Sequence, residues 1–415
     1  MADSLSIWMD GIRVAEVERL KGGRLRLSYT EEALDHYELG VPLLSLRLPL
    51  VATPYSHGVV RRFLEGLLPE GPARRTVAEH FDLKVSDTYA LIRELGRDCA
   101  GALVVLRTGQ PLPPQRPVQA ATPLSEAELA ELVTRLSTAP FGVDENFRIS
   151  LAGVQQKLVL TRLPNGSWAK SDAGLPSTHI LKPEIPELST KFSTVDNEAF
   201  CMRFARYLNL PVAAVETAVV NERRMIVVQR YDRIMEADGT VRRVHQEDFC
   251  QALSILPGEK YEEDGGPSLR MVARILNDYK GVAAMEALLR AVTVNVLIQN
   301  GDAHGKNFSV LHESPGVIRL APLYDLMSTR IYGVKKLAMR IDGIELLERV
   351  SSDRVINEAL SWGMRRQRAK EIVADLLKRT GVAADAAASE TPGSEIVRTV
   401  VRKQTLDLQK SLEQI

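Results

Sequence analysis

Residues 300–310 read NGDAHGKNFSV, and the reading of this loop decides the fold. Asp302, His304, Lys306 and Asn307 crowd around two glycines in the manner of a phosphate loop. That signature, however, needs four residues between its glycines, then Lys, then Ser or Thr. Only three residues separate Gly301 from Gly305, and Asn307 follows Lys306. Met285, Leu288, Leu289, Val292 and Val296 recur at helical spacing just upstream, so the loop leaves a helix, whereas a phosphate loop leaves a strand.

About a hairpin's length further on stands Tyr324-Asp325. A loop Asp able to accept a hydroxyl proton, an Asn five residues on and a second Asp beyond a hairpin are the parts with which a protein kinase transfers phosphate. In that chemistry Asp302 orients the attacking hydroxyl. Asn307 and Asp325 are hard oxygen donors suited to Mg²⁺ bridging the phosphates of ATP. The departures are that no HRD precedes the loop and that Tyr-Asp-Leu stands where DFG would be. A kinase also needs a strand Lys and a helix Glu to orient it, and Lys182, ending the strand-like HIL, and Glu198, early in the next helical segment, form the natural ion pair. Upstream, Ser150 to Lys157 (SLAGVQQK) is a small-residue loop whose backbone N–H groups could cover phosphates. VVQRYD, residues 227–232, falls where an interlobe hinge would face adenine.

Taken singly, each feature has a plainer explanation: Asp302 and Asn307 as turn residues, Lys182 as a solvated strand end, Glu198 as an acid favoured by the helix dipole. Their order along the chain is what favours the kinase. A metal hydrolase built on His304, Asp302 and Asp325 is the weaker alternative, because no second His lies near His304. Arg365, Arg366, Arg368 and Lys370 form a basic cluster that reads first as a solvated helix face and second as a phosphate-contacting patch.

The chain-wide pattern is that of an α+β protein. Alternating runs (LSIWMDGIRVAEV, RLRLSY, LSLRLPL) mix with helical ones (VVRRFLEGLLP, DTYALIRELG) up to the strand-like ALVVL. This predicts a small α+β unit over residues 1–106, followed by a Pro-rich linker or exposed loop over 107–125. A region with the nucleotide loop and hinge covers 126–232, including a helix from Val195 to Leu208 capped by Thr194 or Asp196, and a mainly helical region covers 233–415. VIRLAPLYDL reads as strand, and the tail from Glu345 as helical with a break near Gly381 to Gly393. Lys plus Arg equals Asp plus Glu at 53 each, so no whole-chain field draws this protein to nucleic acid or an anionic membrane. Three scattered Cys without CxxC spacing argue against a zinc site or disulfide framework, and no long apolar run is present. The expectation is a cytoplasmic protein.

Taken together, WMDGIRV, RRFLEGLLPEGP, LIRELGRDCAGALVVL, SLAGVQQKLVL, THILKP, TVDNEAFC, VVQRYDR, EDFCQALS, KYEEDGGPS, GDAHGKNFSV and PLYDL resemble the HipA-type serine/threonine kinase toxins of bacterial toxin–antitoxin modules. The resemblance runs to about Gly343 and is weak in the tail. It implies a two-lobed, protein-kinase-like fold using ATP and Mg²⁺, with Asp302 as catalytic base and Asn307 and Asp325 as Mg²⁺ ligands. It implies ATP contacts from Ala152, Gly153, Val154, Gln155, Gln156 and Lys157, and from Lys182. Hinge contacts would come from Gln229 and Tyr231, and ribose contacts from Asp232 and His304. It further implies autophosphorylation at Ser150, which would place negative charge beside the loop that must embrace ATP. The implied partners are a HipB-like helix-turn-helix antitoxin, operator DNA reached through that antitoxin, whose phosphates the Arg365 cluster could then contact, and a translation enzyme such as an aminoacyl-tRNA synthetase as substrate. The alternative is a catalytically silent kinase-like scaffold that acts as co-repressor with a DNA-binding antitoxin.

Overall fold

The computed structural model describes residues 3–137 and 155–414 of the chain. Ser4–Met9 (β1) and Ile12–Arg19 (β2) form an antiparallel hairpin, joined by Leu25–Tyr29 (β3) and Val104–Arg107 (β4) in the order β3-β2-β1-β4. Leu5, Ile7, Val14 and Val17 are fully buried on this sheet. Against it pack Glu31–His36 (α1), His57–Leu67 (α2), Gly71–His80 (α3) and Thr88–Leu95 (α4). The expected strand over Leu44–Leu50 is absent. Its alternate leucines Leu44, Leu48 and Leu50 are buried as the pattern implied, but the backbone turns at Ser45–Leu48, where Leu48 N–H donates to Ser45 O at 2.9 Å. That turn is held by Glu247, which accepts from Ser45 Oγ at 2.6 Å and Leu46 N at 2.8 Å.

The segment 107–125 is largely exposed, as expected of a linker or exposed loop, but it is pinned to the protein at Val118. Val118 is fully buried with Leu163, Ala169, Leu175 and Val241, and its N–H donates to Gly239 O at 2.9 Å. Beyond Glu126–Thr134 (α5) comes a five-stranded antiparallel sheet of Leu158–Arg162 (β5), Trp168–Ala169 (β6), His179–Pro183 (β7), Val215–Val220 (β8) and Arg223–Gln229 (β9), in the order β6-β5-β7-β9-β8. One face of it, through Leu158, Leu160, Leu181, Met225 and Val227, shares a core with the N-terminal unit. Between β7 and β8 lie Pro186–Ser189 (α6) and Thr194–Tyr207 (α7). The cap of α7 is Ser193, whose side chain accepts from Asp196 N at 3.0 Å. Thr194 cannot cap because its hydroxyl is engaged by Ile185 N and Glu184.

The larger lobe follows. Arg233–Met235 (β10) pairs with Val241–Arg243 (β11), and His245–Asp248 (β12) pairs with Ser309–Ser314 (β13), itself paired to Val317–Leu320 (β14). The strand ends at Leu320, so Pro322–Leu326 is loop and not a continuation. Phe249–Leu253 (α8) and Leu269–Leu297 (α9) supply the helical floor. α9 is broken at Gly281, whose φ of +59° and ψ of −139° only glycine adopts without strain. Lys336–Ile341 (β15) and Ile344–Leu346 (β16) precede Ser352–Ser361 (α10), Arg366–Ser389 (α11) and Glu395–Glu413 (α12). α11 runs through Gly381, and the break is confined to residues 390–394.

At the junction of the N-terminal unit, the small lobe and the large lobe lies a buried charge cluster. Asp98, fully buried, receives Arg233 at 3.0 Å, Arg243 at 3.4 Å, Arg230 at 3.6 Å and the Ser177 N–H at 3.0 Å. Desolvation works against the Asp98 carboxylate, but the three guanidiniums outweigh it and hold its pKa below the usual range. Asp98→Ala would leave three cations short of a partner in a dry interior, and is expected to lower unfolding free energy by about 3–5 kcal/mol. Urea denaturation followed by circular dichroism measures this, and a loss under 1 kcal/mol would contradict it.

Candidate active site

A cleft of about 1340 Å³ lies between the two lobes, and most of the residues singled out in the sequence line it. Lys182 stands near the end of β7, paired across the sheet with Ile226. Its Nζ bonds Glu198 Oε1 of α7 at 2.7 Å and Asp325 Oδ1 at 2.5 Å. Lys182 and Glu198 are buried, whereas the Asp325 side chain keeps 42% of its surface open to the cleft. Burial pushes the Asp325 carboxyl up, but Lys182 and Lys157 outweigh it and leave it below the ordinary carboxylate range. For Glu198 burial wins, and its pKa is raised despite Lys182.

The loop at 300–307 is built by its own backbone. His304 N–H donates to Asp302 O at 2.8 Å, Asn307 N–H to His304 O at 2.9 Å and Asp302 N–H to Asn300 Oδ1 at 3.0 Å. Asn307 Nδ2 donates to Asp302 O at 2.9 Å. Because a carbonyl can only accept, this contact turns the amide oxygen of Asn307 away from the loop, where it can serve a cation. Asp325 has a φ of +56° and follows Tyr324, whose hydroxyl donates to Lys306 O at 2.6 Å. The backbone strain is thus held beside a half-buried tyrosine anchor.

Asp302 Oδ1 accepts from Tyr261 Oη at 2.8 Å. Desolvation raises the Asp302 carboxyl above its ordinary value; Tyr261 and Lys260 pull it down and Asp325 pushes it up. His304 is nearly buried, edge-on to Tyr261 at 5.3 Å between ring centroids, and burial holds its pKa at about 3. It is therefore neutral. Lys306 is no phosphate ligand in this arrangement, because it is buried against Asp248 at 2.6 Å. Gln229, at the exposed end of β9, donates its N–H to Ala214 O at 2.9 Å, and Tyr231 lies 5.7 Å from the Tyr324 ring. In an antiparallel strand a residue's N–H and C=O share one edge, so the Gln229 carbonyl faces away from β7.

Some expectations shift. Asp232 is 1% exposed, its carboxylate filled by Arg230 at 2.8 and 2.9 Å, Arg233 at 3.0 Å, Gly101 N at 2.8 Å and Gln246 at 3.0 Å, so its first role is to hold the hinge. Gln155 reaches Pro183 O at 3.4 Å, Gln156 is exposed and Lys157 is buried. Ser150, Ala152, Gly153 and Val154 lie outside the described residues. In the basic cluster, Arg368 makes a two-pronged pair with Glu286 at 2.6 and 2.7 Å and Arg366 contacts Asp353 at 3.4 Å, which favours the solvated, internally neutralised face. Among the described residues, no group of three His, Cys, Asp or Glu is arranged to hold a metal, so the hydrolase alternative lacks its ligand set. Glu70, Lys260 and Tyr261 were missed as site residues. The signal was present, since LLPEGP and KYEEDGGPS are runs with Pro or Gly beside charge, but nothing in them says which loop they face.

The sequence comparison agrees with this geometry. Residues 149–384 match the HipA-like C-terminal domain and residues 5–106 the HipA N-terminal domain. The chain belongs to the HipA family of serine/threonine kinase toxins. Among its relatives, Y4mE of Sinorhizobium fredii, a protein provisionally named a kinase, is 41% identical over 360 residues, covering 84% of this chain and 83% of that one. The serine/threonine-protein kinase toxin HipA of Shewanella oneidensis is 32% identical over 325 residues, covering 74% and 72%. The fold matches a chain of the solved complex of the Shewanella oneidensis HipA, HipB and operator DNA with a TM-score of 0.82 and 27% identity, over 99% of this chain and 97% of that one. The α+β, two-lobed kinase-like architecture follows for this member of the HipA family.

Lys182→Met would leave Glu198 buried without its cation, and is expected to cost about 3–5 kcal/mol at neutral pH. Without Lys182 the already raised Glu198 pKa climbs further, and a carboxyl with a raised folded pKa is relieved as pH falls through that value. The stability gap between variant and parent should therefore narrow on acidification. Thermal unfolding at several pH values reads this, and a gap that widens would refute it.

Proposed function

We propose that this HipA-family chain transfers the γ-phosphoryl group of ATP to a serine or threonine hydroxyl of a protein substrate. The observation that carries the proposal is the Glu198–Lys182–Asp325 chain of charges facing Asp302 and Asn307 across one cleft. Lys182, fixed by Glu198, is placed to hold nucleotide phosphates. Asp302 accepts the hydroxyl proton as the hydroxyl oxygen bonds to the γ-phosphorus and the bond to ADP breaks. Its raised pKa makes it a better base than an exposed Asp. Neutral His304 beside it can offer or accept a hydrogen bond without adding charge, which suits a ribose hydroxyl. The Gln229 carbonyl and Tyr231 backbone suit adenine.

The site fits a magnesium ion by the chemistry of its donors. The Asn307 amide oxygen and the Asp325 carboxylate are two oxygen ligands, and Mg²⁺ is ordinarily held by one or two protein oxygens plus waters and phosphate. When bound, the ion neutralises charge on the phosphates. Ser150, just before the nucleotide loop, is the proposed site of autophosphorylation and the off-switch. The partners proposed on the strength of the Shewanella complex are a HipB-like antitoxin and, through it, operator DNA. A translation enzyme, an aminoacyl-tRNA synthetase first, is the proposed target whose modification arrests growth.

The test is incubation of protein prepared free of phosphate with labelled ATP and Mg²⁺, followed by peptide mapping. The parent chain should label Ser150 and Asp302→Ala should lose at least about 100-fold in rate. No label from the parent would leave a kinase-like scaffold. The pH profile gives a second test. Activity needs ionised Asp302, so it should fall as pH drops through a pKa above the ordinary Asp range. Tyr261→Phe removes a hydrogen bond that lowers this pKa, so its acid limb should move to higher pH, and a limb that stays or moves down would show that Tyr261 does not tune the base.

A further inference from the structure

The loop between α8 and α9 is fastened to the catalytic loop. Tyr261 Oη donates to Asp302 Oδ1 at 2.8 Å, Gly305 N–H donates to Lys260 O at 3.3 Å, and a Cβ at Gly305 would come within 2.4 Å of Pro267 Cγ. This close backbone approach seats Lys260 beside the proposed base, near enough that its charge helps to lower the Asp302 carboxyl. Lys260 Nζ lies 3.3 Å from Oε2 of Glu70, which belongs to the turn before α3 in the N-terminal unit. The other oxygen of Glu70 is buried without a hydrogen-bond partner among the described residues, 3.8 Å from Lys306 Nζ.

Phosphoryl transfer spreads negative charge over the three equatorial oxygens of the moving group, and a cation aimed at them accelerates the step if it binds them better in the transition state than before it. Lys260, Lys182, Lys306 and Lys157 all line the cleft. Lys182 is held between two carboxylates. Lys306 is sealed against Asp248. Lys157 is 7% exposed, and burial together with the Lys182 charge brings its ammonium down to about 8. Among the described residues, the Lys260 ammonium donates one hydrogen bond, to Glu70, and lies 5.8 Å from the Tyr261 ring centroid, so it keeps donors to offer, and it is covalently next to the tyrosine that holds the base.

Resting on the kinase reading, we infer that Lys260 is a further catalytic residue that contacts the γ-phosphoryl oxygens during transfer, with Glu70 of the N-terminal unit as the positioning counter-ion that aims it. The hydroxyl proton goes to Asp302, the new O–P bond forms as the bond to ADP breaks, and the lysine supplies charge alone. The N-terminal unit is thereby part of the active site.

The experiment compares the full-length parent with Lys260→Met, Lys260→Arg, Glu70→Gln and Asp302→Ala. Single-turnover transfer from labelled ATP is measured beside the affinity for ADP with Mg²⁺, and for the same mixture with aluminium fluoride, which mimics the transferring phosphoryl group. Lys260→Met should slow transfer about 100-fold, leave ADP affinity unchanged and weaken the aluminium fluoride complex by a similar factor. Lys260→Arg should restore much of both, and Glu70→Gln should shift both in the direction of Lys260→Met. An active parent with Lys260→Met equally fast, or with ADP affinity lost in the same proportion, overturns the role of Lys260. A parent that transfers no phosphate, like Asp302→Ala, overturns the kinase reading and this assignment with it.

Discussion

The placement of the small lobe over the large one depends on one buried ammonium. Lys182 Nζ joins β7 to α7 through Glu198 and both to the large lobe through Asp325. Charges taken out of water are costly unless they are paired and hydrogen-bonded, so this pairing favours the arrangement in which the three elements meet beside the cleft. The same arrangement keeps the ammonium at the wall of the cleft, where the proposed function has it meet the phosphates of a nucleotide. α7 is held from its other sides as well. Asp196 pairs with Arg224 of β9 at 2.5 Å, and Arg203 and Arg206 reach Glu390 in the turn between α11 and α12 at 3.5 and 2.7 Å. The helical tail thus bears on the helix that carries Glu198.

The N-terminal unit is coupled to the chemistry by charge. Arg230, Asp232 and Arg233 surround Tyr231 and bond to Asp98, Cys99 O and Gly101. Glu247 ties the turn at Ser45 to the strand preceding α8 and also accepts from His312 at 3.1 Å. With Glu70 in the cleft, the unit touches the hinge, the floor and the catalytic loop. A single hydrophobic core running from β1–β4 into β5, β7 and β9 makes that coupling rigid, because close-packed interiors transmit displacement with little give.

Much of the small-scale structure was legible because local signals agree with tertiary demands. The strand character of β1 and β2, the long apolar helix ahead of the 300–307 loop and the pairing of Lys182 with Glu198 all follow from period, spacing and residue type. Errors fell where tertiary contacts overrule local pattern. Leu44–Leu50 alternates as a strand would, yet it turns because Glu247, some two hundred residues away, captures its backbone. Thr194 has the chemistry of a cap, but Glu184 takes its hydroxyl and Ser193 caps instead. The Pro-rich segment 107–125 is mostly exposed as its composition implies, yet a tertiary contact buries Val118.

Sequence alone determined the family and the order of the candidate site residues along the chain, because residue types and their loop spacing are set by bond lengths and chemistry within a few residues. Only the tertiary structure decided which charges meet. It spends Lys306 on Asp248, fills Asp232 with arginines and brings Glu70 and Lys260 to the side of Asp302. Those partners are separated by up to about two hundred residues, and an electrostatic pairing depends on distance in space, which no local pattern encodes.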